Sequence, residues 1–361
     1  MYTSSERQGG PMQKRVGLKT LALKLGMDVS TVSRALRDDP RVKEATRRAV
    51  RELADELDYR PNAAARALRM GKSGRVAVLL SPPQQRFASP IFLELLSTLD
   101  QHLRDAGLSL AVFAARERAE EVDIVRQIVD ERLADAIILG RTRKKDPRVA
   151  LLLESGMPFV TFGQTDWQER HPMVEIDYAE AGRLAIRALH ASASGPIDVL
   201  AAPEGLNFAD NYVAGACAEA ARLGLPEPTL HRIEMTEQAG EDVARKILAP
   251  HPQQPAFACI QDSLSFGVYR VAAAAGLIVG RDLTVFGGQN FPGSEHTAPP
   301  LSTFSTEDSH VAELLSKVML RRLAVDGTPV DGTFEHHEIA PKLLLRQSHR
   351  LIERAPLTRT G

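Results

Sequence analysis

Thr31, Ser33 and Arg34 sit close together on one short segment and are the kinds of side chain that hold a polyanion. A guanidinium fork donates paired hydrogen bonds in one plane, which matches guanine O6 and N7 in a major groove. Hydroxyls suit phosphate oxygens, contacts that fix register without reading sequence. The surrounding residues supply a frame for them. Leu18, Leu21, Ala22 and Leu25 recur at helical spacing, and Gly26 is placed to turn the chain. A second helix is expected from about Val29 to Leu36, where Arg37-Asp38-Asp39-Pro40 breaks it. This is helix-turn-helix spacing, in which the first residues of the second helix enter the groove. Val32 and Leu36 then face the core, and Asp28, Val29, Ser30 and Arg34 face outward. A third helix, about Lys43 to Leu57, places Ala49, Val50, Leu53 and Leu57 on one face.

Charge supports the same division of labour. Residues 1–75 hold 17 Lys and Arg against 9 Asp and Glu, whereas the remaining 286 hold 28 against 37. A basic head on an acidic body points to a polyanionic partner for the head alone. After Tyr59-Arg60-Pro61-Asn62, the alanine-rich stretch Ala63–Leu68 has high helix propensity but only about two turns, too few to be stable alone in water. Gly71-Lys72-Ser73-Gly74 reads as a linker. Residues 1–16 lack periodicity and are expected to be a disordered extension.

Enzyme chemistry finds no constellation. Ten histidines include no His-Glu-x-x-His pair, and there is no Gly-x-x-x-x-Gly-Lys loop or Gly-x-Ser-x-Gly elbow. His336 and His337 fall in an alternating segment, Phe334–Ile339, where neighbours point to opposite faces. Two cysteines, Cys217 and Cys259, cannot build a disulfide framework or a four-thiolate metal site. No apolar run approaches a membrane span, and MYTSSERQGGPMQKR lacks the apolar core of a secretion signal. A cytoplasmic protein without metal, cofactor or membrane contact is expected.

From Arg75 onward, apolar strand runs alternate with amphipathic helices. Strands are predicted at Val76–Leu80, Leu108–Ala114, Asp135–Gly140, Pro158–Gly163, Ile197–Ala202, Leu230–Met235, Ala256–Gln261 and Leu283–Gly288. Helices include Phe92–Ala106, Glu117–Arg132, Ala179–Ala191, Ala209–Leu223, Glu237–Leu248 and Leu264–Ala275. This is an α/β pattern of parallel sheets covered on both faces. Its length implies two lobes, with a ligand cleft beyond the carboxyl ends of their strands.

Val29-Ser30-Thr31-Val32-Ser33-Arg34-Ala35-Leu36, Thr46-Arg47 and the run from Leu57 to Leu68 together resemble the lactose/galactose-repressor family. Ser89–Leu95, Glu175-Ile176-Asp177, Gln261–Gly267 and Pro299–Thr303 extend the resemblance over Leu18 to about Ser348. It implies a helix-turn-helix three-helix domain (17–61), a hinge helix and linker (62–74), and a two-lobed periplasmic-binding-protein-like domain (75–348). A tail (349–361) follows. It also implies a homodimer on a palindromic duplex operator, repression released by a small sugar or glucoside, and a hinge helix whose Leu68 wedges into the minor groove. DNA contacts are then expected from Asp28, Val29, Ser30, Thr31, Ser33, Arg34, Thr46, Tyr59, Asn62, Ala65 and Leu68. Val29 stands where the family usually has a polar residue, which makes that contact apolar, and Asp28 can cap the helix instead.

For the effector, the resemblance puts Asp262 at a ligand-binding strand end. Gly163-Gln164, Tyr212 and Gln289-Asn290 depart from the usual sugar clamps. Phe92, Arg141, Phe162, Gln164, Asn211, Tyr212 and Gln289 are the compensating candidates. Pro158–Gly163 with His171-Pro172 resembles a sub-branch that includes regulators of α-glucoside use. Two alternatives stay open: a purine-like corepressor in the same fold, and a solute receptor with an unrelated basic tail. Only 13 residues follow Ser348, without leucine heptads, so no coiled-coil tetramer is expected.

Overall fold

A computed structural model describes residues 17–36, 39–57, 59, 72–80, 90–191, 197–249, 254–324 and 333–351. The chain divides into two compact units at Ser73–Gly74. Expectations for 1–16, most of the hinge and linker (62–71) and the end of the tail lie outside the described residues.

In the first unit, α1 (Leu18–Leu25) ends where Gly26 takes a left-handed φ of 62°. Its N–H returns to the Ala22 and Leu23 carbonyls, the usual way a glycine closes a helix. Next come α2 (Val29–Ala35) and α3 (Glu44–Glu56). Leu21, Ala22, Val32, Ala35, Val50 and Ala54 form the buried core, with Leu25, Val29, Leu36, Leu53 and Tyr59 packed around it. The expected helical stripes supply most of these contacts.

The second unit holds two parallel sheets. Lobe 1 comprises β1 (Arg75–Leu80), α4 (Pro90–Asp105), β2 (Ser109–Ala114), α5 (Glu120–Asp130), β3 (Ala136–Gly140), α6 (Pro147–Ser155), β4 (Phe159–Phe162) and β5 (Met173–Ile176). Lobe 2 comprises α7 (Tyr178–His190), β6 (Ile197–Ala201), α8 (Asn207–Arg222), β7 (Thr229–Arg232), α9 (Glu237–Leu248), β8 (Ala256–Cys259), α10 (Asp262–Ala274) and β9 (Thr284–Phe286). The chain continues through β10 (Thr303–Ser305), returns to lobe 1 as α11 (Asp308–Arg322) and β11 (His336–Ile339), and finishes with β12 (Lys342–Leu344) against β10.

Strand order is β11-β5-β4-β3-β1-β2 in lobe 1 and β7-β6-β8-β9 in lobe 2. The order reverses within each sheet, and such switch points open a crevice at the strand ends. The eight strands predicted from sequence fall on β1–β4 and β6–β9. Of the four others, β11 lies in the alternating segment Phe334–Ile339, and β5, β10 and β12 are not predicted from sequence.

Glycines set the helix spacing in lobe 2. A Cβ on Gly215 would lie 1.9 Å from the Ala179 carbonyl oxygen, and one on Gly182 would lie 2.1 Å from that of Tyr212. Helices α7 and α8 therefore touch backbone to backbone.

Candidate functional site

The second helix of the small unit is held at its start by Asp28. Its carboxylate accepts the Ser30 N–H at 2.7 Å, which satisfies one of the free donors of a helix N-terminus. Hydrogen bonds from Ser30, with Arg34 nearby, hold the Asp28 carboxyl below its ordinary range. Ser30 and Arg34 are exposed one turn apart, and Thr31 and Ser33 are half-buried beside them.

Val29, expected to face outward, is half-buried against the three-helix core, because it shares the stripe of Val32 and Leu36. Thr46 is half-buried in the first turn of α3. Tyr59 packs on the core and donates its N–H to the Ala54 carbonyl at 2.8 Å. Asn62, Ala65 and Leu68 lie outside the described residues.

Between the lobes of the second unit is a cavity of about 160 Å³. Arg141, in a left-handed conformation just after β3, lines it, with its guanidinium carbon 5.8 Å from the centre of the Phe208 ring. This spacing allows a cation–π contact across the lobes. Phe162 lines the cavity from the end of β4. Gln289, also left-handed at φ 77°, lines it from lobe 2.

Gln289 belongs to a relay. The Ser263 hydroxyl donates to Gln261 Oε1 at 2.8 Å, Gln261 Nε2 donates to Gln289 Oε1 at 2.9 Å, and Gln289 Nε2 donates to the Tyr178 hydroxyl at 3.0 Å. Three of the eight effector candidates, Arg141, Phe162 and Gln289, thus share one cavity wall.

The others are placed differently. Phe92 falls within α4, and its side chain is outside the described residues. Gln164 acts through its backbone. Its carbonyl accepts from Thr142 Oγ1 at 2.8 Å and from Asn207 Nδ2 at 2.5 Å, and its N–H donates to Glu175. Asn207 N–H also donates to the Thr142 carbonyl at 3.0 Å, so this cluster stitches the lobes together. Asn211 is half-buried and off the cavity wall.

Tyr212 is fully buried with its ring 6.3 Å from Phe304, inside lobe 2 and away from the cleft. The close approach of α7 to α8 draws it inward. Asp262 also departs from expectation. Its fully buried carboxylate accepts from Gly288 N and Phe291 N (both 2.7 Å), Ser294 Oγ (2.5 Å) and Thr303 Oγ1 (2.8 Å). Four donors fill its acceptor capacity, and it clasps the loop after β9 instead of facing the cavity.

Residues 74–293 match the periplasmic binding proteins and sugar binding domain of the LacI family, and residues 18–62 match the bacterial regulatory proteins of the lacI family. The HTH-type transcriptional regulator AglR of Rhizobium meliloti is 30% identical over 278 residues, 75% of this chain and 76% of that one. The chain belongs to the LacI family. LacI-family proteins are DNA-binding transcriptional regulators and not enzymes, and the helix-turn-helix unit is the part that carries the match to the regulatory proteins.

Two solved structures share the LacI-family fold over nearly the whole chain. A complex of the transcriptional regulator CelR with cellobiose has a TM-score of 0.68 at 22% identity, covering 92% of this chain and 100% of that one. The lac repressor dimer bound to operator and the anti-inducer ONPF has a TM-score of 0.77 at 21% identity, covering 93% and 100%.

Within this LacI-family cleft, sequence reasoning missed Glu175, Tyr178, Phe208, Gln261 and Asp308 as lining residues. Burial pushes the Glu175 carboxyl up to about 7 and that of Asp308 up to about 6. Glu175 lies in the Glu175-Ile176-Asp177 motif, but its place in the site depends on a backbone partner, the Gln164 N–H, eleven residues away in another segment. Asp308 starts the helix that follows the second lobe crossing, the return to lobe 1 after β10.

Buried Arg148 steadies the same rim. It pairs with Asp146 at 2.6 Å and donates to the carbonyls of Gly140 at 3.3 Å and Arg141 at 3.2 Å, so it fixes the turn that carries Arg141.

Proposed function

We propose that the protein is a homodimeric repressor that binds a pseudo-palindromic operator and is released when a small carbohydrate occupies the inter-lobe cleft. The observation that carries this reading is the composition of the cavity wall. Arg141, Phe162 and Glu175 come from lobe 1, and Tyr178, Phe208 and Gln289 come from lobe 2 or its start. A ligand there touches both lobes at once and so can favour one lobe arrangement over another, the condition for any transmitted effect. A sugar effector is supported by the sugar-binding-domain match and by the relative solved with cellobiose.

On the DNA side, Ser30 and Arg34 read base edges while Thr31 and Ser33 hold phosphates. The dimer doubles this readout over two half-sites about one helical turn apart. The segment 62–74 couples the two units, and effector binding changes the spacing of the paired segments. A gel-shift titration of the full chain on its own promoter DNA, with and without candidate sugars, tests this. Release on sugar addition is expected. Tightening would assign the opposite polarity, that of a corepressor, and no preference for any palindromic site over random duplex would remove the reading.

A further inference from the structure

The turn that carries Gln289 into the cleft has an uncommon backbone. Gln289 and Asn290 are consecutive residues with left-handed φ values of 77° and 50°. Side chains disfavour this region, and asparagine tolerates it better than glutamine does. Such a conformation persists where its surroundings over-determine it. On one side Asp262 does so, accepting from the Gly288 and Phe291 N–H groups. On the other, Thr303 Oγ1 accepts the Asn290 N–H at 3.3 Å, and Arg346 Nη2 donates to Asn290 Oδ1 at 2.9 Å.

Arg346 is half-buried two residues past β12, where the chain returns to lobe 2. Val285 N–H donates to the Ser348 carbonyl there at 2.9 Å, which lays this segment beside β9. Arg346 Nη1 donates to the Leu301 carbonyl at 2.6 Å, and its backbone N–H donates to Ser302 Oγ at 2.8 Å. Leu301 and Ser302 lead directly into β10, which pairs with β12. One guanidinium thus ties the cleft turn to the strands by which the chain crosses between lobes. Its planar fork suits two acceptors at fixed positions.

We propose that Arg346 is a positioning residue of the effector site. It holds the Gln289-Asn290 turn in its left-handed form, so that Gln289 stays bonded between Gln261 and Tyr178 and lines the cleft. Because the same guanidinium is fixed to the Leu301 carbonyl, a twist of the crossing strands moves the turn, and an effector pressing on Gln289 moves the strands. The proposal takes its ligand from the sugar-responsive reading above and adds the residue that joins site to crossing.

Isothermal titration of the full chain with cellobiose, maltose and methyl α-glucoside tests this, with amide hydrogen exchange beside it. Arg346→Met should weaken the tightest of these sugars by about tenfold or more. In a Gln289→Ala background the same change should cost less than about twofold, because the side chain it aims is gone. Asn290→Ala should weaken binding as Arg346→Met does, whereas Asn290→Gly should stay within about threefold of wild type, since glycine adopts the turn without being held. Equal losses from Arg346→Met in both backgrounds, or from Asn290→Gly and Asn290→Ala, make Arg346 a general support of lobe 2 and overturn the inference. Exchange decides the point without a sugar. Arg346→Met should speed exchange in residues 288–291 by about tenfold or more and leave β6 in the same lobe unchanged. Equal acceleration of both, or of neither, overturns the inference. If none of the three sugars binds the wild-type chain, the sugar reading falls, and the exchange result alone stands for or against Arg346.

Discussion

In the helix-turn-helix unit the side chains proposed to read DNA, Ser30 and Arg34, are exposed on one seven-residue helix, α2, beside a core of six buried residues. In the second unit the side chains that line the inter-lobe cavity arrive from β1, β3, β4, β5, α7 and the loop after β9, among other elements. The first site needs local order only: a cap, a turn and a stripe. The second needs both sheets, several crossings and the close helix contacts of lobe 2 before any two of its residues meet. A change in the small unit should therefore alter what is bound while sparing the fold, and a change near the cleft should often alter the fold first.

The largest effect is expected at Asp262. Asp262→Ala leaves the Gly288 and Phe291 N–H groups and the Ser294 hydroxyl buried without an acceptor, and leaves Thr303 Oγ1 only its 3.4 Å contact with the Phe304 carbonyl. Each stranded donor costs roughly 1–3 kcal/mol, and part is relieved by relaxation, so a loss of at least ~3 kcal/mol is expected for the effector unit. For a unit this large that is roughly 6–12 °C in melting temperature. Circular dichroism melts of the full chain measure it. A normal melt combined with a lost sugar response would instead make Asp262 a ligand contact.

Asp262 and Tyr212 also mark where sequence stops being informative. Helices α1–α3 and eight strands were legible because their signals, apolar stripes and runs, are complete within a few residues. Asp262 was legible as a carboxylate at a strand end, yet its partners lie 26 to 41 positions later. Tyr212 carried the right chemistry for a cleft, yet Gly182 and Gly215 let two helices close around it. Arg141 follows β3 directly, Phe162 ends β4 and Gln289 lies three residues beyond β9, and the carboxyl ends of strands are where topology makes exposure to the crevice predictable.

A second, smaller effect concerns pH and separates the interior site from the exterior one. Burial, with added repulsion from Glu338 and Asp177, pushes the Glu175 carboxyl up to about 7. The native state therefore retains a proton there that the unfolded chain releases near 4.5. Stability from this group is fully present below about 4.5 and is lost as pH rises toward 7. Glu175→Gln should flatten this slope and raise stability at pH 8 by on the order of 2 kcal/mol, since the amide oxygen can still accept the Gln164 N–H. Asp262 and Asp308, both raised to about 6, titrate in the same window. Urea unfolding of wild type and variant from pH 5 to 8 isolates the difference. An unchanged slope in the variant would mean another group carries the proton.

The smallest effects belong to α2, and they differ in kind more than in size. Arg34 is exposed and lies one turn beyond Ser30 on the outward face. Arg34→Ala should relax discrimination at a single base pair by about 1–3 kcal/mol and leave the melting temperature unchanged. The Asp28 carboxylate accepts the Ser30 N–H, so its expected role is to hold the helix and not to read a base. Asp28→Ala should therefore weaken binding to every sequence alike, by roughly fivefold, as fraying of the first turn disperses Ser30 and Thr31. Competition binding against a library with each operator position randomised separates the two. If Asp28→Ala shifts the preference at one position while Arg34→Ala weakens all sequences uniformly, the two roles exchange: the aspartate reads a base and the arginine grips a phosphate.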